Sequence, residues 1–172
     1  LYKLAASQGL REAQFALGLM FDNGHTVKQD YVEAVKWYRM SATQGYRDAQ
    51  NNLGAMYANG LGVSQDYVQA EKWYRLAANQ GFNIAQFNLA SIYDNGQGVA
   101  QNYVEAVKWY RLGAENNNTD AQFNLGALYA KGQGVPQNLI KAYGWIYVPV
   151  LKGDAAAKDS LNKIAKLMSP KD

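Results

Sequence analysis

Side chains able to do covalent or metal chemistry are scarce in this 172-residue chain. It has one histidine, His25, and no cysteine. The chain therefore lacks the residues for a cysteine–histidine catalytic pair, for a thiolate metal site and for a histidine cluster. No glycine-rich phosphate loop stands before a helical pattern. We predict that the protein is not an enzyme and has no catalytic residue, no cofactor and no metal site.

The residues that could do chemistry of another kind are amides and aromatic rings at regular spacing. Because an asparagine amide both donates and accepts hydrogen bonds, a row of them suits the backbone of an extended peptide. Phenylalanine adds apolar contact surface. The rows, whose members stand 36 or 72 residues apart, are Asn52, Asn88 and Asn124; Asn23, Asn59 and Asn95; and Phe15, Phe87 and Phe123.

These rows belong to a repeat of 36 residues that runs through four copies without a change of phase. Tryptophan recurs at 37, 73, 109 and 145, and glycine at 24, 60, 96 and 132. Such a period predicts a solenoid, in which each unit buries its apolar face by stacking on its neighbours. We expect the tryptophans at 37, 73 and 109 to be largely buried, and the four glycines to adopt positive φ after a helix end.

Each repeat contains two helical patterns. In the unit 45–80, apolar residues at helical spacing predict helix A from Asp48 to Asn59, which ends at Gly60. Asp66 and Gln69 have the spacing of a capping box at the start of helix B. The chain is predicted to be one array: a partial repeat at 1–8, repeats at 9–44, 45–80, 81–116 and 117–152, and a terminal capping helix at about 154–168.

The ends of the array depart from the pattern. In the fourth repeat Ile146 replaces the tyrosine that follows tryptophan in the other copies. Ser169 and Pro170 are predicted to end the capping helix. The first residues, Leu1 to Ala6, match the middle of a repeat, so we expect the chain to be part of a longer protein.

Charge and hydropathy argue against two classes of partner. Net charge is +3, and the lysine and arginine rows of helix B are interleaved with acids at i,i+3 or i,i+4 spacing. That pattern is typical of a solvated, salt-bridged face, and we predict no nucleic-acid binding. No apolar run approaches the ~20 residues of a membrane span, so none is predicted.

Three segments of the second repeat carry a family resemblance. They are Ala49-Gln50-x-x-Leu53-Gly54-x-x-Tyr57, Gly60-x-Gly62-Val63-x-Gln65-Asp66-Tyr67, and Ala70-x-Lys72-Trp73-Tyr74-Arg75-x-Ala77-Ala78. The chain resembles the Sel1-like repeat family, which is related to the tetratricopeptide repeats. The resemblance implies an all-α, right-handed α/α superhelix that acts as an adaptor or scaffold for protein partners. It also implies a bacterial protein in a periplasmic or secreted location. Thr26 replaces the second turn glycine of the first repeat, where a different turn is expected.

In such superhelices the A helices line the concave side, and helical angle selects the residues that face it. These candidate peptide-binding residues are Phe15, Asn23, Asn52, Asn59, Phe87, Asn88, Ser91, Asp94, Asn95, Phe123, Asn124 and Lys131. One alternative is that the phenylalanines pack between adjacent A helices. Another is that the asparagine rows are solvated and inert.

Charge on the concave positions suggests a type of ligand. Five acids stand there against one base, Lys131; the acids are Glu12, Asp22, Asp48, Asp94 and Asp120. A concave wall of one sign focuses its field, which favours a neutral or basic extended segment. The function predicted is non-catalytic protein or peptide binding. The alternative is a structural spacer or self-assembly element that stacks through its repeat ends, and the oligomeric state stays open.

Overall fold

The computed structural model describes residues 2–168, and every regular element within that range is an α-helix. This confirms the predicted all-α class for the described part of the chain. Leu1 and the predicted stop at Ser169 and Pro170 lie outside it. The ten helices are α1 Tyr2–Ser7, α2 Arg11–Asn23, α3 Tyr31–Thr43, α4 Arg47–Asn59, α5 Tyr67–Asn79, α6 Asn83–Asn95, α7 Tyr103–Glu115, α8 Thr119–Lys131, α9 Leu139–Leu151 and α10 Ala155–Leu167. We call α2, α4, α6 and α8 the A helices, and α3, α5, α7 and α9 the B helices.

The A helices end as predicted, on glycines in the left-handed conformation. The φ angles are 70° at Gly24, 67° at Gly60, 67° at Gly96 and 69° at Gly132. The turn of the first repeat follows the same left-handed path, since Thr26 has φ of 67°. It differs in one backbone hydrogen bond. Leu61, Gln97 and Gln133 donate to the carbonyl oxygens of Met56, Ile92 and Leu128 at 3.0–3.1 Å, whereas His25 makes no such bond within residues 2–168.

The B helices begin on side-chain caps. In α5, the Asp66 carboxylate accepts hydrogen bonds from the backbone N–H of Val68 (2.9 Å) and of Gln69 (3.0 Å). The backbone N–H of Asp66 donates instead to the Tyr57 carbonyl oxygen at 2.9 Å. The cap half of the predicted capping box is therefore present. Its reciprocal half is replaced by a backbone bond that closes the turn.

The packing divides the chain into two compact units, Leu1–Ala85 and Gln86–Asp172. In the first unit, Tyr38, Leu53 and Met56 are buried in one cluster. The A-helix glycine Gly54 makes room for a B-helix ring, since a Cβ there would lie 2.8 Å from the Tyr74 ring. Small residues at this position thus set the close approach of the two helices.

In α3, α5 and α7 the most buried aromatic residue is tyrosine rather than tryptophan. Tyr38 and Tyr110 have almost no exposed surface. Trp109 is buried as predicted, but Trp37 and Trp73 retain some exposed surface. Neighbouring helical residues point about 100° apart. When the tyrosine faces the A helix, the preceding tryptophan must therefore lie toward the edge of the interface.

Candidate functional site on the A helices

All twelve candidate residues lie on A helices, and none of them is buried. Asn23, Asn59, Asn95 and Lys131 are exposed, and the other eight are partly exposed. The first unit holds Phe15, Asn23, Asn52 and Asn59, and the second holds the remaining eight. We call these residues the A-helix surface, with each unit taken by itself.

Phenylalanines of this surface rest on tyrosines. The Phe15 ring centroid lies 5.8 Å from that of Tyr38 and 5.1 Å from that of Tyr46. Phe87 lies 5.9 Å from Tyr110 in the same way. Each of these rings therefore covers the core with one face while part of its surface stays accessible. Packing between adjacent A helices, the alternative named above, would therefore explain the buried part of each ring but not its accessible part.

The asparagine row at 52, 88 and 124 is not uniform. The Asn52 oxygen accepts a hydrogen bond from Asn51 Nδ2 at 3.3 Å. Asn124 is partly exposed, and its amide makes no hydrogen bond with the described residues. The Asn124 amide is thus available to a ligand, whereas Asn52 is already engaged.

The second asparagine row lies in the last turns of the A helices. Asn59 Nδ2 donates to the Ala55 carbonyl oxygen at 2.9 Å, and Asn95 Nδ2 donates to that of Ser91 at 2.9 Å. These bonds hold each side chain against its own helix. The amide oxygen of each asparagine is left as the acceptor that a bound peptide could use.

Two acids of the A-helix face are bonded to buried tyrosines. Asp22 Oδ2 accepts a hydrogen bond from the Tyr38 hydroxyl at 2.8 Å, and Asp94 Oδ2 accepts one from Tyr110 at 3.2 Å. Burial raises the pKa of both tyrosines well above the ordinary value, so both hydroxyls stay protonated and act as donors. These carboxylates belong to the packing between A and B helices as much as to the surface.

Two further acids lie beside arginines that the sequence analysis did not count. Arg11 Nε is 2.9 Å from Glu12 Oε1, and this hydrogen bond lowers the pKa of the Glu12 carboxyl. Arg47 Nε is 3.7 Å from Asp48 Oδ2. Each arginine stands directly before its acid at the start of an A helix, and its positive charge lies close to the carboxylate. The arginines therefore offset part of the predicted negative charge. The preference for a neutral or basic ligand stays a prediction.

A cavity of about 230 Å³ opens beside α8 in the second unit. Its walls include Phe123, Ala130 and Lys131 of α8, Ile146 of α9 and Lys163 of α10. Phe123 and Lys131 are candidate residues predicted from the sequence, whereas Lys163 is not. No local signal could have found it, since Lys163 stands 32 residues beyond Lys131 and reaches the cavity only through the packing of α10.

The B helices carry an apolar feature that the sequence analysis also missed. A wider cavity of about 540 Å³ lies along α3, lined by Val32, Lys36, Met40 and Val63 among others. The predicted salt bridges of this face are present, as between Lys36 and Glu33 at 3.2 Å. The missed signal was an exposed aliphatic row at the repeat spacing: Val32, Val68, Val104 and Ile140.

Residues 2–168 contain neither a metal-binding cluster nor a membrane-spanning helix. No group of three or more histidines, cysteines, aspartates or glutamates there is placed to hold a metal ion. No helix in the described range is long and apolar enough to cross a membrane.

The sequence profile of the Sel1 repeat matches four consecutive segments of the chain, at 11–46, 47–82, 83–118 and 119–147. No curated protein sequence gives a significant match. Among solved structures, the chain is similar to a Sel1 repeat protein from Oxalobacter formigenes. The TM-score is 0.90 and the identity 37%, over 99% of this chain and 71% of that one.

A second similar structure is c5321, a protective antigen of uropathogenic Escherichia coli strains with an SLR fold. The TM-score is 0.94 and the identity 36% over 99% of this chain, which spans 37% of the length of the E. coli chain. Helicobacter pylori cysteine rich protein B shares the fold at 21% identity and a TM-score of 0.61, over 80% of this chain and 99% of that one. Four matched repeats and two close structural relatives lead to one conclusion: this chain belongs to the Sel1 repeat family.

Proposed function

We propose that the A-helix surface binds a segment of a partner protein without catalysing a reaction on it. Sel1 repeats commonly form protein-interaction scaffolds. The observation that carries the proposal for this chain is that all twelve candidate residues keep solvent-accessible surface. Regularly spaced amides and rings that stay accessible beside a packed core form a surface that a ligand can use.

The chemistry of this surface suits a polypeptide backbone. Asn124 offers a donor and an acceptor that no described residue uses, and Asn59 and Asn95 each offer an amide oxygen. The partly exposed Phe87 and Phe123 rings would supply apolar contacts on either side of such bonds. Hydrogen bonds to the asparagine amides would set the register of the bound segment, and contacts with the rings would add affinity. Both features favour an extended segment.

A peptide array probed with this chain tests the proposal, with Asn124→Ala as the informative variant. We expect the bound peptides to lose about 2- to 10-fold in affinity, on the scale of one hydrogen bond. Asn79→Ala is the matched control, since Asn79 is an exposed asparagine at the end of B helix α5. If no peptide binds, or if both variants behave alike, the A-helix surface is not the binding site and the spacer alternative gains.

A periplasmic or secreted location is part of the same proposal. The E. coli relative is a protective antigen, and this supports a location outside the cytoplasm for the present chain. Fractionation of cells that express the native protein, followed by immunoblotting, checks the location. Recovery in the cytoplasmic fraction alone contradicts it.

A further inference from the structure

The cavity between α8 and α10 lies where the fourth repeat lacks a polar pair that the first and third repeats have. In the first repeat Tyr38 donates to Asp22, and in the third Tyr110 donates to Asp94. The corresponding residues of the fourth repeat are Ile146 and Ala130. Both are shorter and apolar, so the space that a tyrosine ring and a carboxylate would share lies open between α8, α9 and α10.

The base of the cavity is apolar and of the right size for one side chain. Ile146 and Ile164 are 1% and 5% exposed and form the floor, with Phe123 and the small Ala127 along α8. A cavity of about 150 Å³ lined by aliphatic and aromatic groups is enough to bind benzene. The 230 Å³ here therefore has room for a branched aliphatic side chain of a ligand.

The rim of the cavity is basic. Lys131 stands in the last turn of α8 and Lys163 on α10, and both are exposed. Neither has an ion-pair partner among residues 2–168. Asp159, one turn before Lys163, is not part of the lining. Two ammonium groups beside an apolar floor complement a ligand with carboxylates next to an aliphatic side chain.

We propose that the α8–α10 cavity binds a partner-protein segment in which one aliphatic side chain is flanked by acidic side chains. The aliphatic side chain fills the cavity, and the flanking carboxylates pair with Lys131 and Lys163. This inference rests on the proposed function and names the partner chemistry for one part of the A-helix surface. Here the preferred charge is opposite to the neutral or basic segment predicted from the A helices alone, because α10 contributes the second lysine.

The test is fluorescence anisotropy with a short acetylated and amidated peptide that has leucine between aspartates. Blocked ends confine its charge to the side chains. We expect saturable binding to the wild-type chain and a loss of roughly 2- to 30-fold for the Lys131→Gln/Lys163→Gln double variant, on the scale of two exposed ion pairs. Replacing the aspartates with asparagines should weaken binding by a similar factor. Ala127→Leu, which fills the cavity without changing charge, should also weaken it.

The matched control is Lys28→Gln/Lys72→Gln, which removes the same charge from two exposed lysines of the first unit. It should bind as the wild type does, and melting curves of all variants verify folding. Absence of saturable binding by the wild type overturns the inference. So does equal weakening by both double variants, which would indicate general attraction to a basic protein. If the acidic peptide fails while array peptides still depend on Asn124, only this inference fails; if both fail, the proposed function fails with it.

Discussion

A hydroxyl–carboxylate pair distinguishes otherwise similar repeats at the scale of single residues. Tyr38 reaches Asp22 and is among the most buried side chains, so its hydrogen bond is formed in a largely desolvated place. Tyr74 stands at the same place in the next repeat, where Ala58 replaces the aspartate, and it has no hydrogen-bond partner in the described chain. The two tyrosines therefore share packing and differ in one polar interaction.

We expect Tyr38→Phe to lower the free energy of unfolding by about 1.5–3 kcal/mol, because it removes a hydrogen bond to a charged group. Tyr74→Phe should change it by less than about 0.5 kcal/mol, because packing is kept and no hydrogen bond is lost. Urea denaturation followed by circular dichroism measures both. Equal effects of the two substitutions would show that the Asp22 pair contributes nothing to stability.

Two turn glycines act for different reasons at the scale of elements. A Cβ on Gly60 would lie 3.3 Å from the Gln65 Cβ, a tight but adjustable contact, so left-handed φ is the main constraint there. A Cβ on Gly62 would overlap the backbone carbonyl oxygen of Tyr31, the first residue of the preceding B helix. Thr26 shows that the left-handed φ alone is tolerated at this turn position.

Gly62→Ala should therefore destabilise the protein more than Gly60→Ala. We expect about 1–2 kcal/mol at Gly60 from backbone strain, and about 2–5 kcal/mol at Gly62 from strain plus overlap with backbone that cannot rotate away. Gly45→Ala is the control for strain alone, since φ there is 82° and nothing lies within 4 Å of a Cβ. Chemical denaturation measures the free energy of unfolding of the three variants. If Gly62→Ala is as stable as Gly60→Ala, the close approach of Gly62 to the Tyr31 carbonyl is contradicted.

A polar link also joins consecutive repeats at the scale of elements. Gln50 Nε2 donates to the Ala42 carbonyl oxygen at 3.1 Å, and its Oε1 accepts from Gln80 Nε2 at 2.7 Å. In the fourth repeat Gln122 keeps the first bond, to Ala114 at 3.1 Å, but its buried oxygen has no partner among residues 2–168. Lys152 stands where a glutamine or asparagine donates in the earlier repeats, and it donates to Thr119 instead.

At the scale of the molecule, α10 follows α8 with the phase of another A helix, since Ala155 stands 36 residues after Thr119. Ala157, Leu161 and Ile164 bury its inner face. Asn162 occupies the position of the glycine or alanine against which the other repeats pack a B-helix side chain. A further B helix packed as in the earlier repeats would meet this larger side chain, which agrees with the predicted role of α10 as a cap.

Leu161→Ala should loosen the second unit, because α10 packs against α9 through this buried leucine and each unit of a repeat array is stabilised by its neighbours. We expect a loss of about 2–5 kcal/mol, the cost of a cavity at a buried leucine. Hydrogen exchange should quicken most in α9 and α8, which line the same core. Leu167→Ala is the control, since that side chain is 70% exposed; unchanged exchange in α9 after Leu161→Ala would contradict the capping role.

The sequence by itself determined the features that recur every 36 residues. Helix pairs, the N-cap at Asp66 and the left-handed glycine at 60 depend on neighbours a few residues apart, so the pattern of one repeat predicts them in all four. The accessibility of the candidate residues also followed, since helical angle separates the core stripe from the opposite side.

Only the tertiary structure decided which of those residues are free to act. Asp22 pairs with Tyr38, 16 positions further along the chain, and Lys131 lines the same cavity as Lys163, 32 positions further along. Such contacts depend on how each helix is rotated and how closely small residues let it approach its neighbour. A one-dimensional pattern does not encode those quantities, and so the charge of the α8–α10 cavity could not be predicted from the sequence.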